Sequence, residues 1–168
     1  MLLMRAERFF STEPSHGWFA VTEYAHGHRE TDPLAAVARH WLLGESSRLF
    51  TGTEDEPDRH GPFAATADLW RRFRETSPED VVAALRQWGT DADRFSGTST
   101  VADEVEGWVL DVMPPPRPAA CLLLVPTDEE LGAQSPDGHL VGVCAGFAQA
   151  LWIRPEDDRF VVVTCSDD

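Results

Sequence analysis

The pattern of hydrophobic and polar positions changes about halfway along the chain. In the first half, apolar residues recur every three or four positions, the spacing of one helix face. In the second half they alternate with polar residues or form short unbroken runs, which is typical of strands. We therefore predict one α+β domain over residues 1–168, with about three N-terminal helices packed on a mainly antiparallel sheet formed largely by the C-terminal half.

Two helices are predicted from the residues that begin and end helices. The first follows Thr31 or Asp32 as its N-cap and ends at Gly44. The second follows Ser77 as its N-cap, has an acid in its first turn and is predicted to end at Gly89. The polar residues 90–100 then form a connection.

A further helix is predicted over residues 62–74 from spacing alone. Phe63, Trp70 and Phe73 recur at helical intervals, whereas the neighbouring arginines lie mostly off that face.

Strands are predicted at three further places. Residues 18–24 are rich in aromatic and β-branched types. Residues 106–113 alternate acid or glycine with apolar side chains, which predicts a strand with one face in solvent. Residues 119–125 are apolar on both faces, as expected of a central strand.

The stretch 139–165 permits two backbone paths. In one, a long strand, a turn at residues 154–158 and a return strand form a hairpin. In the other, a strand meets a sharp elbow at residues 142–146 that leads into a short helix. The alanines after Gly146 favour helix, but the neighbouring alternation favours an antiparallel sheet, and the hairpin is the preferred prediction.

The elbow path would make Cys144 a nucleophile. Gly142, Cys144 and Gly146 form a G-x-C-x-G pattern, and residues 140–151 resemble the nucleophile-elbow region of class I glutamine amidotransferases. The resemblance implies a reactive thiol at a helix N-terminus, where the dipole favours thiolate. That family takes its histidine from downstream, whereas no histidine follows Cys144 here. A cysteine-dependent hydrolase or amidotransferase-like enzyme is therefore an alternative function.

The charge balance points away from nucleic acid and membranes. The chain has 14 basic and 29 acidic residues, a formal net charge of −15, which opposes binding to phosphate backbones and anionic lipids. It has no lysine, no asparagine and one isoleucine, a bias typical of a high-GC bacterial genome. Such an acidic surface instead complements a basic protein, whose association it would steer.

The most concrete function from these features is an acidic inhibitor of the immunity or antitoxin type, which occludes a basic partner such as a toxin enzyme. Its contacts are predicted in three acidic loops. A small-ligand-binding domain that uses the aromatic residues is a further alternative. The predicted partner-binding residues are Glu54, Asp55, Glu56, Asp58, Asp128, Glu129, Glu130, Glu156, Asp157 and Asp158.

The cysteines and histidines add little further chemistry. Cys121, Cys144 and Cys165 lie in apolar runs without a CxxC pair or a secretory segment, which predicts reduced thiols and a cytoplasmic chain. The His26 and His28 pair, with His16 and His40, lacks diagnostic metal spacing. We expect no metal and no cofactor, and the sequence leaves the oligomeric state open. The six tryptophans, spread over six predicted elements, are expected to share one aromatic core.

Overall fold

The computed structural model describes residues 3–12, 17–25, 27, 31–42, 59–60, 63–64, 68–97, 99–127 and 146–167. These residues confirm an α+β domain with three α-helices and a six-stranded antiparallel sheet. The helices are α1 (Pro33–Leu42), α2 (Pro78–Ser96) and α3 (Val101–Val112). The strands are β1 (Leu3–Thr12), β2 (Gly17–Ala25), β3 (Arg59–His60), β4 (Phe63–Ala64), β5 (Arg74–Thr76), β6 (Cys121–Leu124), β7 (Phe147–Arg154) and β8 (Arg159–Asp167).

The main sheet has the strand order β1-β2-β8-β7-β6-β5, and β3 pairs with β4 separately. The first two strands of the chain therefore join the last two, which makes β8 and β7 the centre of the sheet. Because successive side chains of a strand point to opposite faces, β7 and β8 must be apolar on both sides. Residues 147–153 are buried without exception, in agreement with this position.

The helical hairpin of α2 and α3 covers one face of the sheet. Val81, Leu85 and Trp88 of α2 and Val105 and Val109 of α3 pack on alternate residues of β2, β7 and β8. The three-to-four-residue spacing of these side chains brings them onto one stripe of each helix. We call this side of the sheet the hairpin face.

The opposite face of the sheet is covered by α1 and by a 3₁₀ turn at Leu69–Arg72. Ala36 and Val37 of α1 pack with Leu122, Leu151 and Phe160 of the sheet. Asp32 caps α1, since its carboxylate accepts the backbone N–H of the second and third residues of the helix at 2.9 and 3.3 Å. We call this side the α1 face.

Residues 106–112 belong to α3, with Met113 as its C-cap, and do not form the predicted strand. The alternation of apolar residues there coincided with a second pattern, because Val101, Val105, Val109 and Val112 are buried at helical spacing while Leu110 is exposed. Four valines on one face outweigh their weak helix propensity, since tertiary burial decides the state. Asp93 caps this helix by accepting the N–H of Val101 at 3.0 Å.

Gly89 does not end α2, which continues through the predicted connection to Ser96. A Cβ atom on Gly89 would lie 2.7 Å from Cα of Ala102 and 3.0 Å from its nitrogen. The glycine therefore permits α2 and α3 to approach closely. The helix ends at Gly97, which adopts the left-handed conformation with φ of 70°.

The predicted helix over residues 62–74 is also wrong. Phe63 and Ala64 form β4, the 3₁₀ turn occupies Leu69–Arg72, and Arg74 begins β5. Phe63, Leu69 and Phe73 are nevertheless buried together under the α1 face, so the apolar residues reach one core through an irregular backbone.

The hairpin path of the C-terminal stretch is confirmed. β7 and β8 pair from Phe147 with Ser166 to Arg154 with Arg159, around a turn at Pro155–Asp157. The helix that the elbow path expects after Gly146 is this first strand. Cys144 itself lies outside the described residues.

The tryptophans do not share a single core. Trp88 and Trp152 are buried on the hairpin face, with Trp108 packed against them, whereas Trp70 packs under the α1 face. The sheet separates the two groups, because both of its faces are covered.

None of the described helices is long and apolar enough to cross a membrane.

Candidate functional site

The acidic turn between β7 and β8 is the one predicted contact loop that the structure describes. Asp158 has a positive φ of 55°, which aspartate tolerates better than most residues. Its carboxylate accepts the backbone N–H of Gly27 at 2.8 Å, and that of Asp157 accepts Nη2 of Arg154 at 2.6 Å. Asp157 and Asp158 therefore hold the turn in place, and Glu156 is the exposed acid that makes no ion pair with any described residue.

Arg154 attaches this turn to the body of the protein. Its Nη1 lies 3.6 Å from the carboxylate of Glu23 on β2 and donates to the carbonyl oxygen of Val112 at 3.4 Å. A guanidinium at the C-terminal end of a helix is favourable because the carbonyl groups there carry partial negative charge. Arg154 thus places the acidic turn beside the last residues of α3.

The solvent-facing side of α3 carries four acidic residues. Asp103, Glu104, Glu106 and Asp111 lie on this helix, which contains no basic residue. Arg86 of α2 pairs with Asp103 at 3.0 Å and also with Glu106. The hydrogen bond with Asp103 is the main reason that the pKa of Arg86 is raised. We call the surface formed by Asp103, Glu104, Glu106 and Asp111 the acidic helix face.

The far end of the acidic helix face is fixed by β1. Nη1 of Arg8 lies 3.1 Å from the carboxylate of Asp111. The same guanidinium lies over the ring of Trp108, 6.0 Å from its centroid. Asp111 stands near a helix C-terminus, where a carboxylate is unfavourable, and Arg8 offsets this by supplying the opposite charge. Leu110 is exposed beside it.

Most of the described arginines are already occupied by acids of the same chain. Their pairing neutralises positive charge, so the surplus of acids sets the charge that the surface presents to solvent. The arginines paired in this way are Arg8, Arg71, Arg86, Arg94, Arg117, Arg154 and Arg159.

The segment that leads into the predicted contact loop at residues 128–130 leaves the sheet elsewhere. β6 ends with Leu124 opposite Gln149, five residues along β7 from Arg154 at the acidic turn. At about 3.3 Å per residue this separates the two ends by about 17 Å. The chain toward Asp128, Glu129 and Glu130 therefore departs from the opposite end of the sheet. These three acids, with Glu54, Asp55, Glu56 and Asp58, lie outside the described residues.

The two described cysteines have the environment of structural thiols. Cys121 and Cys165 are buried in the hairpin-face core. Burial raises the pKa of Cys121 to about 12, and Sγ of Cys165 donates to the carbonyl oxygen of Ala148 at 3.2 Å. A thiol that stays protonated at neutral pH is a poor nucleophile, so Cys121 does not have the character of a catalytic residue.

The described residues contain no cluster of three or more side chains arranged to hold a metal ion. His40, one of the histidines considered as a ligand, is buried on α1, with its ring 5.8 Å from that of Phe160. His16, His26 and His28 lie outside the described residues.

The acidic helix face was missed by sequence reasoning because residues 106–113 were interpreted as a strand. The valine spacing of α3 was the signal that could have found it, since a valine stripe places Asp103, Glu104 and Asp111 on the opposite side of a helix. Comparison with known proteins gives no further guide: no family model, no curated protein and no solved structure matches the chain.

Proposed function

We propose that the chain is an acidic binding protein for a basic protein partner, most concretely an inhibitor of the immunity or antitoxin type that occludes a basic enzyme. The observation that carries the proposal is the acidic helix face, whose four carboxylates lie on a helix without a basic residue and outnumber the two arginines, Arg86 and Arg8, that pair with them.

The face has the composition of a recognition surface. Leu110 is exposed on α3 among the acids, and no atom lies within 4 Å of the Cβ position of Gly107, one turn away. An apolar centre with a charged rim is the usual arrangement of a transient protein interface. The carboxylates raise the association rate with a cationic partner, and Leu110 contributes burial once contact is made.

The acidic turn extends this surface. Because Arg154 bonds both the carbonyl oxygen of Val112 and the carboxylate of Asp157, the turn lies at the C-terminal end of α3. Glu156 therefore adds its charge near the end of α3 that carries Asp111. The acids of residues 54–58 and 128–130 stay predicted contacts.

Affinity capture with charge-matched variants tests the proposal. The full-length chain is immobilised and exposed to a native lysate, and bound proteins are identified by mass spectrometry. The test variant is D103N/E104Q/D111N, and the control is D68N/E75Q/E79Q, which removes the same charge from exposed acids elsewhere. We expect the wild type and the control to retain the same basic protein, and the test variant to lose it.

Two results would contradict the proposal. Equal loss in both variants would mean that net charge alone governs binding. A partner retained by the test variant, or one that stays bound in about 1 M NaCl, where the Debye length is about 3 Å, would not depend on these carboxylates.

A further inference from the structure

The exposed hydrophobic side chains of the described residues are concentrated on one edge of the sheet. Leu3, Met4 and Phe9 of β1 are 51%, 55% and 61% exposed, whereas Leu110, at 38%, lies away from this edge on α3. β1 is the first strand in the order of the sheet, so among the described strands its outer edge has no neighbour. An edge of this kind offers backbone donors and acceptors to another chain unless charges, proline or a bulge protect it.

A bulge limits how much of β1 can pair. The register with β2 is irregular between Met4 and Ala6 and then runs regularly from Ala6 opposite Glu23 to Thr12 opposite Gly17. Bulges interrupt the ladder on a strand, so the regular stretch available at the outer edge is residues 6–12. Its midpoint is Phe9, which is also the most exposed large hydrophobic residue.

We propose that β1 pairs antiparallel with β1 of a second copy of this chain, around a twofold axis at Phe9. In this register all of residues 6–12 of one copy pair with residues 6–12 of the second copy. Phe9 lies opposite Phe9 of the second copy. Each Phe9 already stacks on Trp18 of its own β2, at 6.1 Å between ring centroids. The pairing therefore brings the Phe9–Trp18 pairs of the two copies side by side on the α1 face, which buries part of their exposed surface.

The charges on β1 select this register. Arg8 falls opposite Phe10 of the second copy, where a guanidinium and an aromatic ring attract each other, and Glu7 falls opposite Ser11. If the twofold axis moved by one residue to position 8, Arg8 would lie opposite Arg8 of the second copy. If it moved to position 7, Glu7 would lie opposite Glu7. Both arrangements are destabilising because like charges face each other. A shift in the other direction shortens the paired stretch. The Phe9-centred register is thus the longest one that opposes no like charges.

The salt dependence of this dimer is opposite to that of the proposed partner binding. Two copies with a net charge of −15 each repel one another, and salt screens that repulsion. Dimerisation should therefore strengthen with salt, whereas binding of a basic protein should weaken. The two proposals can succeed or fail independently for this reason.

Sedimentation equilibrium of the full chain tests the dimer, at about 0.05 M and about 0.5 M NaCl. We expect a reversible dimer with a lower dissociation constant at the higher salt concentration. Phe9→Glu and Phe9→Arg should each raise that constant by at least about tenfold, because like charges then meet at the axis. An equimolar mixture of F9E and F9R should restore dimers, since position 9 faces itself. Leu110→Glu is the matched control at an exposed hydrophobic residue away from the edge, and it should leave the constant unchanged.

A monomeric wild type at both salt concentrations would overturn the proposal. So would a dimer that F9E leaves intact, or one that L110E disrupts as strongly, because another surface would then hold the copies together. Failure of the F9E and F9R mixture to associate would overturn the register. Circular dichroism checks that the variants are folded, and Phe9→Ser replaces any charged variant that is not.

Discussion

Two glycines of the helical hairpin occupy opposite environments. A Cβ on Gly89 would lie 2.7 Å from Cα of Ala102, whereas one on Gly107 would meet nothing within 4 Å. Gly89→Ala should therefore destabilise the fold by about 1–3 kcal/mol, because the helices must move apart despite the better helix propensity. Gly107→Ala is the matched control and should stabilise by about 0.5–1 kcal/mol. Urea unfolding measures both, and a stabilising G89A would contradict the close approach of α2 and α3.

The first turn of α2 makes the stability of this helix depend on pH. Ser77 accepts the backbone N–H of Asp80 at 3.1 Å, while the hydroxyls of Ser77 and Thr76 donate to its carboxylate at 2.9 and 3.0 Å. These hydrogen bonds, that of Ser77 first, lower the pKa of Asp80. The folded state therefore gains stability when Asp80 is ionised, and this gain is lost as the pH falls through and below the ordinary aspartate range.

Asp80→Asn should for this reason reduce the change in the free energy of unfolding between neutral and acidic pH. Urea unfolding midpoints of the wild type and D80N should differ more at neutral pH than at low pH. Ser77→Ala, which removes the cap itself, should cost about 1 kcal/mol. A difference between the wild type and D80N that grows on acidification would contradict the role of the ionised carboxylate.

At the level of elements, Arg154 joins three parts of the fold that are distant in sequence. It lies 3.6 Å from Glu23 on β2, bonds the last turn of α3 and holds the acidic turn, and its side chain is only 22% exposed. Removing one member of a poorly solvated pair leaves the other without compensation, which costs more than removing both.

A double-mutant cycle measures this coupling. Arg154→Met alone should destabilise the protein by about 2 kcal/mol, and the cycle of R154M with Glu23→Gln should give a coupling energy of about 1 kcal/mol or more. The exposed pair of Arg94 and Asp91, 3.3 Å apart, is the control and should give about 0.3–0.5 kcal/mol. Equal coupling in the two pairs would show that Arg154 is a surface contact and not the attachment of the turn.

The elements that the sequence predicted correctly had either a capping residue beside an apolar stripe or a run of strand-forming residues. α1 and the start of α2 had a capping residue as well as an apolar stripe, and β7 and β8 had runs that are apolar on both faces. The helix over residues 62–74 had a stripe alone, and there tertiary packing produced two short strands and a 3₁₀ turn. β1 was not predicted at all, because the charges of Arg5, Glu7 and Arg8 interrupt its apolar residues, as an edge strand allows.

The acidic character of the candidate site could be predicted from the sequence, but its location in the fold could not. The net charge and the acidic turn at residues 156–158 were visible in the sequence, whereas the acidic helix face depends on α3 being a helix. Period-two and period-four patterns coincide over residues 105–112, and the packing of Val105 and Val109 against the sheet shows that the fold uses the period-four pattern of the valines. Asp157 and Asp158 accept hydrogen bonds from Arg154 and Gly27 of the same chain. Sequence spacing does not reveal these contacts.

At the scale of the whole molecule, the two proposed surfaces lie on different parts of the fold. The acidic helix face belongs to the helical hairpin, and the exposed side of β1 is the edge of the sheet, with Arg8 and Asp111 in contact between them. A dimer through β1 would carry one acidic helix face on each copy. Two copies could then bind two basic partners without competing for the same residues.

The most direct test of the central claim is the salt dependence of affinity for the captured partner, measured by titration calorimetry. For the wild type and for D68N/E75Q/E79Q, we expect the dissociation constant to rise steeply between about 0.05 M and about 0.5 M NaCl. D103N/E104Q/D111N should bind more weakly at the lower salt concentration and with a shallower dependence. Equal affinity and equal salt dependence for all three proteins would contradict the claim that the acidic helix face recognises a basic partner.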